Sequence, residues 1–162
     1  MGIEAARQMV RDGIAELVPY ARSAGVKIGL EPLHPMFAGD RSVLTTVSEG
    51  LSIAQQYPLE EVGLVLDVFH IWWDPCAMQQ IAATTDRIRG FHVSDWPVPL
   101  PDVLLARCMM GDGVIDIRGL REAVDRAGYD GPIEVEILNQ AIWDEDPDSV
   151  LDRVIKTFEI HV

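Results

Sequence analysis

The chain has little cysteine, few basic residues and no long apolar run. Only Cys76 and Cys108 occur among 162 residues, which rules out a disulfide-framed fold. Neither has a second cysteine at metal-ligand spacing. Thirteen basic residues stand against 26 acidic ones, a formal net charge of −13. Proteins that bind a duplex replace phosphate counterions with a basic stripe. Here the longest basic grouping is Arg87-Ile88-Arg89, inside a strand pattern. Neither nucleic acid nor an anionic membrane surface is therefore expected as a partner. No apolar run reaches the roughly 18 residues of a membrane span, and Met1 leads into a polar, helix-like stretch rather than a signal peptide. The expected location is the cytoplasm. No glycine-rich phosphate loop follows any apolar run, which disfavours a nucleotide-binding sheet.

What remains is an ordinary apolar fraction, 48%, in a chain whose length suits one domain, residues 1–162. Apolar periodicity predicts a helix over 3–24, stopped by Gly25, and then a strand from Val26 to Leu30 that ends at Glu31. A helix is predicted over about 43–57, with Ser42 or Thr45 as cap and Pro58 just past its end. The strand Gly63–Leu66 ends at Asp67. A helix over about 75–85 follows, with Asp74 as cap and Pro75 in its first turn. Arg87 to Phe91 form a strand that ends at His92. Residues 93–114 carry three prolines and two glycines and cannot be one regular element. A helix centred on Leu120–Ala127, a turn at 128–131, a strand over 132–136 and a helix near 147–160, started by Asp146 or Asp148, complete the chain. Alternating strands and helices imply a parallel sheet with right-handed crossovers. Its closure is either an open doubly wound sheet or part of a (β/α)8 barrel.

Glu31, Asp67, His92 and Glu136 each close an apolar strand. In parallel α/β folds strand ends share one face, and ligands bind there. Three carboxylates and one imidazole make a hard, oxygen-rich site suited to one divalent ion: Mn, Mg, Co or Zn. Without a cation the carboxylates repel one another. Acidic residues after strands also serve as helix caps and turn formers, a role that fits Glu31 and Glu136 poorly because glutamate is not a favoured cap. His70, three residues past Asp67, reaches the same rim as a support for a ligand, a substrate donor, a fifth ligand or an ordinary loop histidine. Trp72, Trp73 and Trp96 either wall a pocket or pack on the sheet rim. Arg107 either grips a substrate oxygen or phosphate or pairs at the surface with Asp102.

The ordered set Leu30-Glu31-Pro32, Leu66-Asp67-Val68-Phe69-His70, Phe91-His92-Val93-Ser94-Asp95-Trp96, Gly111-Asp112-Gly113-Val114-Ile115-Asp116 and Val135-Glu136 resembles the sugar phosphate isomerase/epimerase superfamily, the xylose-isomerase-like TIM barrels. The resemblance covers nearly the whole chain. It implies a partial (β/α)8 barrel made of strands five to eight. It makes Glu31, Asp67, His92 and Glu136 the ligands of one divalent metal ion, with Glu31 and Glu136 also catalytic. It gives His70 and Arg107 to the substrate; Trp96, as a pocket wall, joins them from its position after a strand end rather than from the resemblance. The implied activity is isomerisation or epimerisation of a sugar or sugar phosphate, with a proton removed beside a carbonyl through a metal-stabilised enediolate. An inosose-type dehydratase and a catalytically silent domain are the alternatives. Endonuclease-like members carry an Asp-x-His where this chain has Gly111-Asp112-Gly113-Val114.

Four strands are half of a barrel that usually takes about 250 residues. The expectation is a domain lacking the N-terminal half, completed by a second copy or a complementary half-barrel chain, or simply shortened. Strand alternation adds one finer expectation. Lys27 shares parity with Glu31, and Glu134 with Glu136. Both should be solvent-accessible or paired, because uncompensated burial is costly.

Overall fold

The computed structural model describes residues 2–162. Helix α1 (Ile3–Ala24) ends where Gly25 takes the left-handed conformation, φ +67°, and donates its N–H to Ala21 and Arg22 carbonyls. Strand β1 (Ile28–Leu30) and a 3-10 turn at Pro35–Phe37 lead to α2 (Val47–Ala54). Then come β2 (Val62–Asp67), the single turn α3 (Val68–Ile71), α4 (Ala77–Ala82), β3 (Ile88–Val93), α5 (Ile117–Arg126), β4 (Ile133–Val135), α6 (Gln140–Trp143) and α7 (Pro147–His161). Every predicted strand and helix is present. The 3-10 turn, α3 and α6 were not foreseen, and β1 starts two residues later than the apolar run.

Two cap expectations are corrected. The cap of α2 is Thr46, not Ser42 or Thr45. Its hydroxyl accepts the Glu49 N–H at 3.2 Å while Glu49 reaches back to the Thr46 N–H, also at 3.2 Å. This reciprocal pair satisfies two otherwise orphaned donors. Asp74 does not cap α4. It accepts the Cys76 N–H at 2.8 Å, one turn ahead of a helix that begins at Ala77. For α7 the cap is Asp146, which accepts the Ser149 N–H at 3.0 Å.

The sheet decides between the two closures. All neighbouring strands are parallel, in the order β1-β2-β3-β4. A doubly wound sheet reverses its strand order at a switch point; consecutive order with the helices on one side is instead an arc of a barrel. The core lies on the outer side. There Leu64, Leu66, Phe91 and Val93 pack against Leu51 and Ile53 of α2, Ile81 of α4 and Leu120 and Val124 of α5. The inner side carries Gly29, Glu31, Val65, Asp67, Gly90, His92, Glu134 and Glu136. Lys27 and Glu134 on that side are exposed, as strand alternation predicted.

A bulge aligns the rim. Leu64 pairs with Ile88 but Val65 pairs with Gly90, so Arg89 has no partner across β2. Above the bulge Asp67 stands level with His92, and His92 with Glu134. Arg89 turns toward the lower edge, where its guanidinium donates to the carbonyls of Asp86 and Ile88 and to that of Leu59.

Candidate metal centre

Each converging side chain is delivered by a strand end. Glu31 follows the last residue of β1. Asp67 ends β2 and caps α3, its Oδ1 accepting the Phe69 N–H at 2.9 Å. His92 lies in β3 opposite Asp67. Glu136 follows β4, and its N–H donates to Val93 O at 3.0 Å. One ligand atom from each of the four lies within 4.8 Å of all the others. Metal–ligand bonds of about 2.0–2.2 Å place ligand atoms on one ion at most about 4.4 Å apart, so the four groups are a few tenths of an ångström from a closed set.

Charge points the same way. Three carboxylates face one buried cation, Arg107, whose Nη1 lies 2.6 Å from Asp67 Oδ2 and 3.3 Å from Glu136 Oε2. Arg107 offsets only part of this negative charge, so the cluster still favours a further cation. The strain shows in the titration of the groups. Burial, reinforced by the Asp67 carboxylate, raises Glu31 to about 7. Complete burial raises Asp67 to about 6 although Arg107 opposes it. Glu136 goes the other way, held down to about 2 by its contact with His92, 3.2 Å away, and by Arg107. The same contact raises His92. Hard oxygen donors, one imidazole and more carboxylate than cationic side chains fit a divalent ion.

The sequence of this site also places the chain among known proteins. The pattern of the xylose isomerase-like TIM barrel matches residues 2–156. The chain belongs to that family. Over 139 residues it is 31% identical to a 3-dehydroshikimate dehydratase of Pseudomonas putida, covering 82% of this chain and 21% of the other. It is 22% identical over 130 residues to a ketose 3-epimerase of Arthrobacter globiformis, covering 80% of this chain and 41% of that one. A protein of Sinorhizobium meliloti 1021, known from its crystal structure, superimposes with a TM-score of 0.95 at 42% identity, over 99% of this chain and 59% of its own length. The chain thus spans between a fifth and three fifths of these relatives.

Within this family member, the other residues predicted for the site divide into two groups. His70 and Arg107 line a cleft of about 180 Å3 together with Glu31, Phe37, Phe69 and Glu136. Arg107 is buried, 4% exposed, and its partner is Asp67, not Asp102; Asp102 accepts N–H groups of its own loop. Trp96 does not line the cleft. Its ring packs behind it, 4.7 Å from Phe69 and 4.8 Å from His34. A larger cleft of about 800 Å3 lies between α1 and residues 38–43; its lining is mostly apolar and includes none of the converged groups.

Two further residues build the site: Asp95, which the sequence motif contains but to which no role was assigned, and Asn139, which was not singled out. Asp95, 1% exposed, accepts four backbone N–H groups, from Trp96, Gly111, Gly113 and Ile115, at 2.8 to 3.0 Å. Its own backbone exchanges hydrogen bonds with Cys108, which fixes the return of the chain next to Arg107. Asn139 donates from Nδ2 to Arg107 O at 2.8 Å and caps α6 with Oδ1. The glycines at 111 and 113 are the one visible trace of the Asp95 staple: a Cβ at 113 would collide with the Asp95 carboxylate and Trp96 O.

Proposed function

We propose that this chain carries the metal-binding part of a divalent-metal-dependent isomerase or epimerase acting on a sugar or sugar phosphate. The observation that carries the reading is the convergence of Glu31, Asp67, His92 and Glu136 within 4.8 Å, with two glutamates at opposite ends of the strand arc. When bound, a divalent ion supplies Lewis acidity that makes the C–H between a carbonyl and a hydroxyl more acidic. Everything else is the work of side chains. Glu136, placed at one end of the arc, is positioned to accept that proton. Glu31, its counterpart at the other end of the arc, is suited to return one through a carboxylate oxygen that does not touch the ion. Arriving from opposite ends of the arc, they address opposite faces of a substrate, which yields epimerisation; return to the adjacent carbon yields aldose–ketose isomerisation. His70 stays neutral, because burial and the charge of Arg107 lower it to about 3, and it offers a hydrogen bond. Arg107 offers a fork for substrate oxygens. Trp96 backs Phe69 and keeps water from the rear of the cleft.

We read residues 1–162 as one domain, corresponding to strands five to eight of the barrel. A complementary half-barrel is the partner that suits the open inner face and the two edge strands β1 and β4. A second copy would crowd two carboxylate clusters into one ring. A cytoplasmic location accords with the free thiols of Cys76 and Cys108. The 31% identity to a 3-dehydroshikimate dehydratase supports a second reading, a lyase in which the same proton removal is followed by loss of a hydroxyl.

The test is to incubate the protein with Mn2+ and a panel of ketoses and inososes in 2H2O. The isomerase reading expects chelator-sensitive deuterium incorporation next to the carbonyl, abolished by Glu136→Gln. The lyase reading expects a dehydrated product. A Glu136→Gln protein that binds metal and keeps full turnover would defeat both.

A further inference from the structure

Arg107 sits where a metal ion would need access. Asp67 has two oxygens. Oδ1 is fastened by the Phe69 N–H, which leaves Oδ2 for an ion, and Oδ2 is the oxygen Arg107 holds at 2.6 Å. The same Nη1 lies 3.3 Å from Glu136 Oε2 and 3.2 Å from Glu136 O. A guanidinium has no lone pair to give a metal, so it competes with the ion and contributes nothing to its coordination.

The guanidinium also rests against an unwelcoming neighbour. Its Nη2 lies 3.3 Å from His70 Nε2, while the His34 N–H points at His70 Nδ1, also at 3.3 Å. A neutral imidazole accepts at only one nitrogen. One of these two donors must face an N–H. Removing Arg107 from Nε2 ends the conflict, because His70 can then accept from His34 and keep its proton on Nε2. Around the side chain the main chain is tied down, with Arg107 N–H on Leu138 O at 3.3 Å and Asn139 Nδ2 on Arg107 O at 2.8 Å. Movement is thereby confined to the side chain, whose guanidinium lies over the Phe69 ring at 4.5 Å.

We propose that Arg107 is a resident counter-ion, which holds Asp67 and Glu136 together in the metal-free protein, swings off them when a divalent ion binds, and so sets the metal affinity. The proposal rests on the metal-centre reading. It assigns to Arg107 a task separate from any contact with substrate.

The test is calorimetric titration of the 162-residue protein with Mn2+ alone, for wild type, Arg107→Met and Arg107→Lys. Removing a cation that both repels the ion and blocks Asp67 should tighten binding about tenfold in Arg107→Met. Arg107→Lys, which keeps the charge, should stay within about threefold of wild type. Equal or weaker binding by a folded Arg107→Met overturns the proposal while leaving the metal centre standing. Uptake by neither wild type nor Arg107→Met removes the metal centre and the proposal with it. Should Arg107→Met fail to fold, the wild type decides alone. NMR of its arginine guanidinium N–H groups should show one hindered guanidinium released on saturation with Zn2+, and an unchanged signal overturns the proposal.

Discussion

Replacing Glu31 with glutamine should stabilise the metal-free protein and weaken the metal-loaded one. Among the described residues, Glu31 makes no hydrogen bond through its carboxyl; its ion-pair partner is His92, with Nδ1 at 4.0 Å. Its folded pKa rises from 4.5 to about 7, through burial first and the Asp67 carboxylate second. The sign follows by linkage. A carboxyl raised on folding costs nothing below 4.5, where it is neutral in both states, and destabilises progressively as pH climbs through 7. At 1.36 kcal/mol per pH unit the full cost is about 3 kcal/mol. With 35% of the side chain in solvent, screening brings this to about 1–2 kcal/mol. Urea unfolding with chelator present should therefore find Glu31→Gln more stable by about 1–2 kcal/mol at pH 8, and by roughly a quarter of that at pH 5. With Mn2+ at about a hundred times its dissociation constant, wild type gains about 2.7 kcal/mol that a variant short of one ligand does not match, and the order reverses. A metal-free Glu31→Gln that is less stable at pH 8, or a difference independent of pH, would refute the reasoning.

Other perturbations probe the scaffold and the proton balance. Asp95→Asn keeps one acceptor oxygen where two served four N–H groups, so it should lose about 2–4 kcal/mol in urea unfolding; a loss below about 1 kcal/mol means that Asp95 does not anchor the 111–115 loop. Thr46→Ala removes one arm of the α2 capping box and should cost about 1 kcal/mol, read as a lower urea midpoint with unchanged slope. Metal binding needs Glu31 ionised and His92 neutral, and both are raised. Mn2+ uptake near pH 6.5, which also needs Asp67 ionised, should thus release more than one proton, seen as a heat that varies with the ionisation enthalpy of the buffer; a buffer-independent heat contradicts it.

The site was legible in sequence to the extent that it is built from strand ends. An apolar run closing on Glu31, Asp67, His92 or Glu136 is a local signal, and parallel topology turns four local signals into one place. His70 was within reach for the same reason, since it is one helical turn from Asp67. The pattern of Lys27 and Glu134 followed from strand alternation. What stayed hidden depends on pairing across the chain. Nothing near Arg107 says that it leaves its loop to lie against Asp67, 40 residues away. Asp95 reads as any acidic residue after a strand until residues 111 to 115 fold back on it. Thr46 lost to Thr45 in the reading because a cap is fixed by backbone angles at single-residue precision. The three short helical turns, Pro35–Phe37, Val68–Ile71 and Gln140–Trp143, are too brief for periodicity to register.

The central claim is that one divalent ion holds the four strand-end groups together. A crystal soaked in Mn2+ and measured at the manganese absorption edge tests it directly. The account predicts a single anomalous peak about 2.0–2.3 Å from oxygens of Glu31, Asp67 and Glu136 and from a ring nitrogen of His92. A map with no peak among them, and Arg107 still seated on Asp67, would contradict it.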